Sequence, residues 1–279
     1  MAILQRICRL IWINSLLLSS SICCAQNGHF FIGAKSSAMS HANINSADQS
    51  ALFNNPAGLG YQKTAGVMAA YQNRFNVAAF QTVGFGVSHP LGTVVPALSF
   101  YRFGDDIFNQ QKLSIAIGSK IQTVSLGGAI NFIQYNFSEI GTFSALSFEF
   151  GGIAELIEGV RIGAHIFNLN QAKFTESQPL PIFMRFGLSY VPSRYLLITS
   201  EIEKELNHDE TLKVGISYSF TDWVSIQSGF AFLPKSLSFG FGIHPISWSF
   251  HYAFVGMVPS GSIHEISIGK SFAQYARKK

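Results

Sequence analysis

From about residue 64 onward the chain alternates apolar and small or polar residues with a period of two. In 211–220, Leu212, Val214, Ile216, Tyr218 and Phe220 alternate with Lys213, Gly215, Ser217 and Ser219. Successive side chains of a strand point to opposite faces, so one face is fully apolar and the other small or polar. Segment 236–243 repeats this with Leu237, Phe239, Phe241 and Ile243 against Ser238, Gly240 and Gly242. Segment 246–254 sets Ile246, Trp248, Phe250, Tyr252 and Phe254 against Ser247, Ser249, His251 and Ala253. In 183–190, Met184, Phe186, Leu188 and Tyr190 oppose Arg185, Gly187 and Ser189.

The pattern divides into segments near 64–71, 76–88, 93–103, 111–119, 123–135, 143–152, 159–168, 182–191, 195–205, 210–220, 223–233, 236–243, 246–257 and 262–272. That makes about fourteen strands, most of them near the roughly 9–11 residues that a tilted strand needs to cross a bilayer. Every second connector reads as a turn, most of them short and carrying Pro, Gly or Asp: HPLG (89–92), SKI (near 119–121), AELIEG (154–159), PSR (192–194), TD (221–222) and HP (244–245). The opposite set holds the two long connectors, 104–110 and 169–181. Short turns at one end and longer loops at the other suit an outer-membrane barrel.

Composition supports lipid contact. The 279 residues are 48% hydrophobic and only 12% charged. A soluble domain carries about 25% charged residues. A helical membrane protein needs stretches of about 18 apolar residues, and none follows the first 25. A soluble β-sandwich also alternates, but its apolar faces must meet in one packed core, thin for so many strands. The expected fold is therefore all-β: a transmembrane antiparallel β-barrel of about fourteen strands with an N-terminal hatch segment, closed because an open edge in lipid leaves backbone groups unpaired.

The first 25 residues read as a secretory signal. Arg6 and Arg9 precede the apolar run Leu10–Leu18, and Ser19–Ala25 supplies a small-residue exit. Cleavage after Ala25 makes Gln26 the mature start and removes all three cysteines, Cys8, Cys23 and Cys24. Acylation at Cys23 or Cys24 is the competing reading, poorly matched by Ser21 and Ile22. The expected division is signal peptide 1–25, hatch or plug 26–63, barrel 64–272 and basic tail 273–279. The expected location is the outer membrane of a Gram-negative-type cell, in contact with outer-membrane lipid.

Residues 33–60, GAKSSAMSHANINSADQSALFNNPAGLG, differ from the rest: rich in Ala, Ser and Asn, without a period of two. The stretch resembles the N-terminal region of the FadL-like outer-membrane proteins, and within them the PorV/PorQ branch associated with type IX secretion. The matches are Gly33, Ala34, Ala38, Met39, Ala47, Asp48, Ala51, Leu52, Asn55, Pro56, Ala57, Gly58 and Leu59. The resemblance implies a segment tucked into the barrel as a hatch. Asn54 and Asn55 supply side-chain donors and acceptors, Asn55-Pro56 favours a turn, and a small-residue helix at 35–42 suits a narrow lumen. A periplasmic arm preceding the first strand is the alternative.

The alternation turns Glu149, Arg161, Arg185, Glu201, Glu203 and Lys213 inward, with His165 and His251 nearby. Lipid-facing Arg or Lys near the midplane costs about 2–4 kcal/mol. These side chains form either a polar path with a docking site for the hatch, or ion pairs that fill the lumen. Lys270 alone turns outward with Ile266 and Ile268, where its stem can snorkel to headgroup level.

No H-x-x-x-H spacing, phosphate loop or G-x-S-x-G elbow occurs. Neither an enzyme, a metal site nor a cofactor is expected, and no basic cluster points to nucleic acid. By resemblance the chain is an accessory of protein secretion, with secretion-machinery proteins as partners. The alternative is a FadL-like channel for hydrophobic small molecules, released sideways through a kinked strand beside the hatch.

Overall fold

The computed structural model describes residues 30–176 and 178–272. The signal-peptide and basic-tail expectations lie outside them. The strands are β1 Gly66–Arg74, β2 Gln81–Ser88, β3 Val94–Gly104, β4 Phe108–Ile121, β5 Val124–Phe137, β6 Gly141–Ile157, β7 Val160–Phe167, β8 Lys173–Thr175, β9 Gln178–Pro179, β10 Phe183–Ser193, β11 Leu196–Glu205, β12 Thr211–Ser219, β13 Val224–Phe232, β14 Lys235–Ile243, β15 Trp248–Met257 and β16 Gly261–Ser271. Fourteen of them close one antiparallel barrel, and β8 and β9 form a small separate hairpin within the connector from β7 to β10. β1 closes the ring on β16, from Gly66 opposite Ser271 to Arg74 opposite Ile263. Among the described residues no helix is long and apolar enough to cross a membrane.

Burial follows the alternation. Along β12, Leu212, Val214, Ile216 and Tyr218 are exposed on the outer wall, while Thr211, Lys213 and Ser217 are buried inside. The exposed Leu, Ile, Val and Phe side chains of the other barrel strands extend this apolar outer surface around the ring. Lys270 turns outward, its ammonium 4.6 Å from the Trp248 ring and 5.3 Å from that of Phe272.

Two connectors differ from the sequence expectation. The long loop at 104–110 shrinks to a turn, because β3 runs to Gly104 and β4 starts at Phe108. Asp105 tightens it by accepting from the Ile107 and Phe108 amides. The AELIEG turn is mostly strand, since β6 runs to Ile157. Its polar residues misled the reading: Glu155 belongs to the wall and pairs with Lys120 at 3.6 Å. The connector after β7, with its hairpin, is the one extended excursion at its rim. Register shifts in the barrel occur only where β6 meets β7 near Glu155 and where β10 meets β11 near Tyr190. The rim where β1 begins is called the near rim below, and the opposite one the far rim.

Residues 30–62 lie inside this ring. Helix α1 (Ala34–Ala38) packs on β13–β16, helix α2 (Ala51–Asn54) follows, and the 3₁₀ helix η1 (Pro56–Tyr61) packs on β3–β6. The helix read at 35–42 is thus shorter, for Ser40 and His41 adopt positive φ and end it.

Candidate functional site

The inner segment is seated by glycines of the wall. A Cβ on Gly127 would lie 2.3 Å from the Pro56 carbonyl carbon, and one on Gly229 would lie 2.4 Å from that of Met39. Gly128, one residue along and facing out, has nothing nearer than 3.4 Å. The inward glycines are therefore the footprint of the segment, placed where its backbone touches the wall.

Each residue of the 33–60 motif has a place in this seat. Gly33, at φ 133°, donates its amide to Glu265, and the Ala34 amide donates to Ser267 Oγ at 3.2 Å. Met39 is fully buried over Gly215 and Gly229. Asp48 accepts from Lys35 Nζ at 2.8 Å and from the Ser50 amide at 2.9 Å. Burial opposes ionisation of Asp48, but the Lys35 charge and the Lys35, Ser50 and Ser46 donors outweigh it and hold the carboxyl well below its usual range. Asn54 Nδ2 donates to the Ser50 carbonyl at 2.7 Å. Asn55 caps η1 by accepting from the Ala57 amide at 3.1 Å, and donates to the Ile44 carbonyl at 2.9 Å. Pro56 opens η1, where its missing N–H costs nothing. Gly58 lies so close to the Ser46 carbonyl that any Cβ would collide with it.

The inward charges divide into an inner network and a rim pair. Glu149 lies 3.4 Å from Lys112 Nζ and 3.2 Å from His165 Nε2. Arg185 Nη2 donates to His165 Nδ1 at 2.9 Å. A guanidinium can only donate, so Nδ1 accepts, Nε2 carries the proton, and the imidazole donates to Glu149. Arg185 also donates to the Asn54 carbonyl and lies 3.5 Å from Glu201. Glu201 accepts the Asn43 and Ile44 amides at 3.1 and 2.9 Å. Lys213 pairs with Glu203 at 2.8 Å. Thus Arg185 and Glu201 hold the inner segment as well as each other. Arg161 is not part of this network: it lies at the near rim, 4.0 Å from Glu155, its guanidinium 4.6 Å from the Tyr61 ring centre. His251 is buried on the near-rim side, beside His244, and also apart from the network.

Two buried inward charges were missed. Glu265 is fully buried and accepts from Gly33, Ser37 and, at 2.9 Å, Gln72. Lys112 is buried against Glu149. The signal was present, since Glu265 alternates with Ile266 and Ile268, and Lys112 with Leu113 and Ile115.

Also unread was an aromatic cluster at the far mouth. Inward Tyr101, Tyr135, Phe167 and Phe183 gather with Phe30 of the inner segment, flanked by Phe103, Phe108, Phe137 and Phe174. Phe30 meets Tyr101 edge-on at 5.3 Å and Phe167 at 5.7 Å. Phe174, from the β7–β10 connector, lies on Tyr135 at 4.3 Å. Lys112 Nζ is 5.1 Å from the Phe30 ring centre. The lumen is therefore aromatic at the far mouth beside β3–β7, with Lys112, Glu149 and His165 next to the rings, and polar beside β10–β16. Among the described residues no group of three or more His, Cys, Asp or Glu is placed to hold a metal ion.

No protein-family model and no curated protein sequence matches the chain. Solved structures do match its fold. A monoaromatic hydrocarbon channel, CymD, aligns over 89% of this chain and 99% of its own, with TM-score 0.68 and 13% identity. A FadL homologue of Pseudomonas aeruginosa aligns over 88% and 100%, with TM-score 0.64 and 12% identity. The P. putida toluene transporter TodX aligns over 89% and 100%, with TM-score 0.63 and 10% identity. The chain has the FadL-like outer-membrane β-barrel fold.

Proposed function

We propose that the protein is an outer-membrane channel for hydrophobic small molecules, with the far rim facing the cell exterior. The aromatic cluster at the far mouth carries this reading. Sites for small apolar ligands are mostly apolar, with a few placed polar groups. Tyr101, Tyr135, Phe167 and Phe183 with Lys112 match that description. The fold it shares with CymD and TodX, described as a monoaromatic hydrocarbon channel and a toluene transporter, supports the same class. The long connector at the far rim and the tight turns at the near rim support the orientation.

In this reading the solute takes the place of the Phe30 ring among the inward aromatics under Phe174, since only about 10 Å³ is open there, and the inner segment closes the way onward. Release sideways through the wall needs a strand to part from its neighbour. At the depth of the inner segment the strand registers are regular, so that opening is a motion. The protein does no chemistry on the solute.

The test is uptake of labelled toluene or a labelled fatty acid by liposomes holding the barrel. Uptake above that of empty liposomes is expected. An aromatic contact contributes about 0.5–1.5 kcal/mol, so Tyr135→Ala should weaken solute binding by roughly 2–10-fold. Uptake equal to empty liposomes removes the proposal. The 33–60 motif supports a second reading, a PorV/PorQ-like secretion accessory. It requires that secretion-machinery subunits copurify with the native barrel.

A further inference from the structure

Two of the cavities in the polar half of the lumen lie one above the other beside β15, β16 and β1. One, of about 460 Å³, opens at the near rim between Lys35, Asp48, His244, His251, Ser267 and Gly269. The other, of about 170 Å³, lies toward the far rim between Gln72, Glu205, Lys213, Ala231, Val255 and Ile263. Both are bounded by the same wall strands, β15, β16 and β1. On β16 the near cavity reaches Ser267 and the far one Ile263. On β15 they reach His251 and Val255. Four residues of strand span about 13 Å. A helix with its side chains is about 10–12 Å thick. What separates the cavities is thus one layer, and α1 is that layer.

The layer is lightly built. Its residues facing the wall are small: Ala34 and Ala38 pack on Ala253, and Ala38 lies over Gly240. Within Ala34–Ala38 no large apolar side chain interlocks it with the wall; the nearest, Met39, follows the helix and sits over Gly215 and Gly229. It is held instead by polar bonds, chiefly those from Gly33 and Ser37 to Glu265, with Ala34 to Ser267 and Ser40 to Ser238 at 2.7 Å. The other half of the lumen is different. There Pro56, Leu59 and Gly60 press on Gly118 and Gly127, and the space left beside Phe30 and Phe167 is about 10 Å³. That is about the least space that holds a single water.

We infer that the barrel contains an axial passage for small hydrophilic solutes along the wall of β15, β16 and β1, closed by α1 and latched by Glu265. It is separate from the aromatic site in position and in the solutes it admits. Displacing one short helix joins the two cavities, with no strand parted. Both cavities carry charges of either sign and hydroxyl or amide groups, which suit water and small polar solutes.

Conductance of the full barrel in planar bilayers bathed in KCl tests the inference. Wild type should conduct little. Glu265→Ala, which removes the latch, should raise time-averaged conductance tenfold or more. Ala253→Leu, which pushes α1 off the wall with the carboxylate left in place, should do the same. Ser37→Ala removes one latch bond and buries no new group, so a smaller rise is expected. Leu59→Ala loosens η1 in the packed half and should leave conductance at the wild-type level. Folding of each variant is checked by the shift in gel mobility on boiling. Wild-type conductance in all the α1 and Glu265 variants that fold would overturn the inference, as would an equal rise in Leu59→Ala. Failure of hydrophobic uptake would leave it standing.

Discussion

Arg185 illustrates how much one side chain does inside this barrel. Its guanidinium faces Glu201 and His165, stacks 4.3 Å from the Phe31 ring centre and donates to the Asn54 carbonyl. Removing one partner of a buried pair strands the other, at a cost of about 3–5 kcal/mol. Arg185→Ala should destabilise the barrel by about that amount in detergent unfolding curves. An exposed pair such as Lys204–Glu210 is worth about 0–1 kcal/mol, so Lys204→Ala should be nearly silent. Asp48 supplies a pH signature. Its folded pKa is depressed, so its ionised form stabilises the fold at every pH above the unfolded value. That contribution is lost as pH falls through the lower, folded value. The melting-temperature advantage of wild type over Asp48→Asn should stay level down to pH about 4, then shrink. An advantage lost between pH 7 and 5 would contradict the Lys35–Asp48 pairing.

At the scale of elements, the inner segment and the wall are matched by absent side chains. Gly127 and Gly128 are neighbours with opposite duties, one beneath η1 and the other facing out. Gly127→Val should drive η1 from its seat, seen as protease cleavage within 56–62 while the barrel keeps its heat-modifiable mobility. Gly128→Val should leave the cleavage pattern unchanged. Equal behaviour of the two variants would mean that η1 does not press on the wall. The strands themselves were legible because period-two alternation is a local property. Each of the fourteen segments read from sequence has its strand. Their ends were less legible. Glu155 and Ile157 extend β6 beyond the reading, because a polar residue near a rim resembles a turn residue until its cross-strand partner is known.

Taken whole, the molecule has an apolar outer wall around a lumen with two characters. Ile115, exposed on β4, should tolerate Arg poorly if it meets hydrocarbon: about 2–4 kcal/mol of lost stability in vesicles at the midplane. No loss there would remove the membrane from the argument. The sequence by itself determined the closed barrel, its strand number and the outward direction of its greasy side, because backbone alternation and the need to pair every edge are written along the chain. It also singled out residues 33–60 and most of the inward charges. Only the tertiary structure decided the aromatic half of the lumen. In stretches such as 97–103 and 129–137 large apolar side chains fall on both faces, so alternation fades there. Only the tertiary structure, too, joined Glu265 to Gly33 and Ser37 across more than two hundred residues. Which backbone meets a buried carboxylate depends on how a flexible segment folds inside a closed ring, and no local period records that.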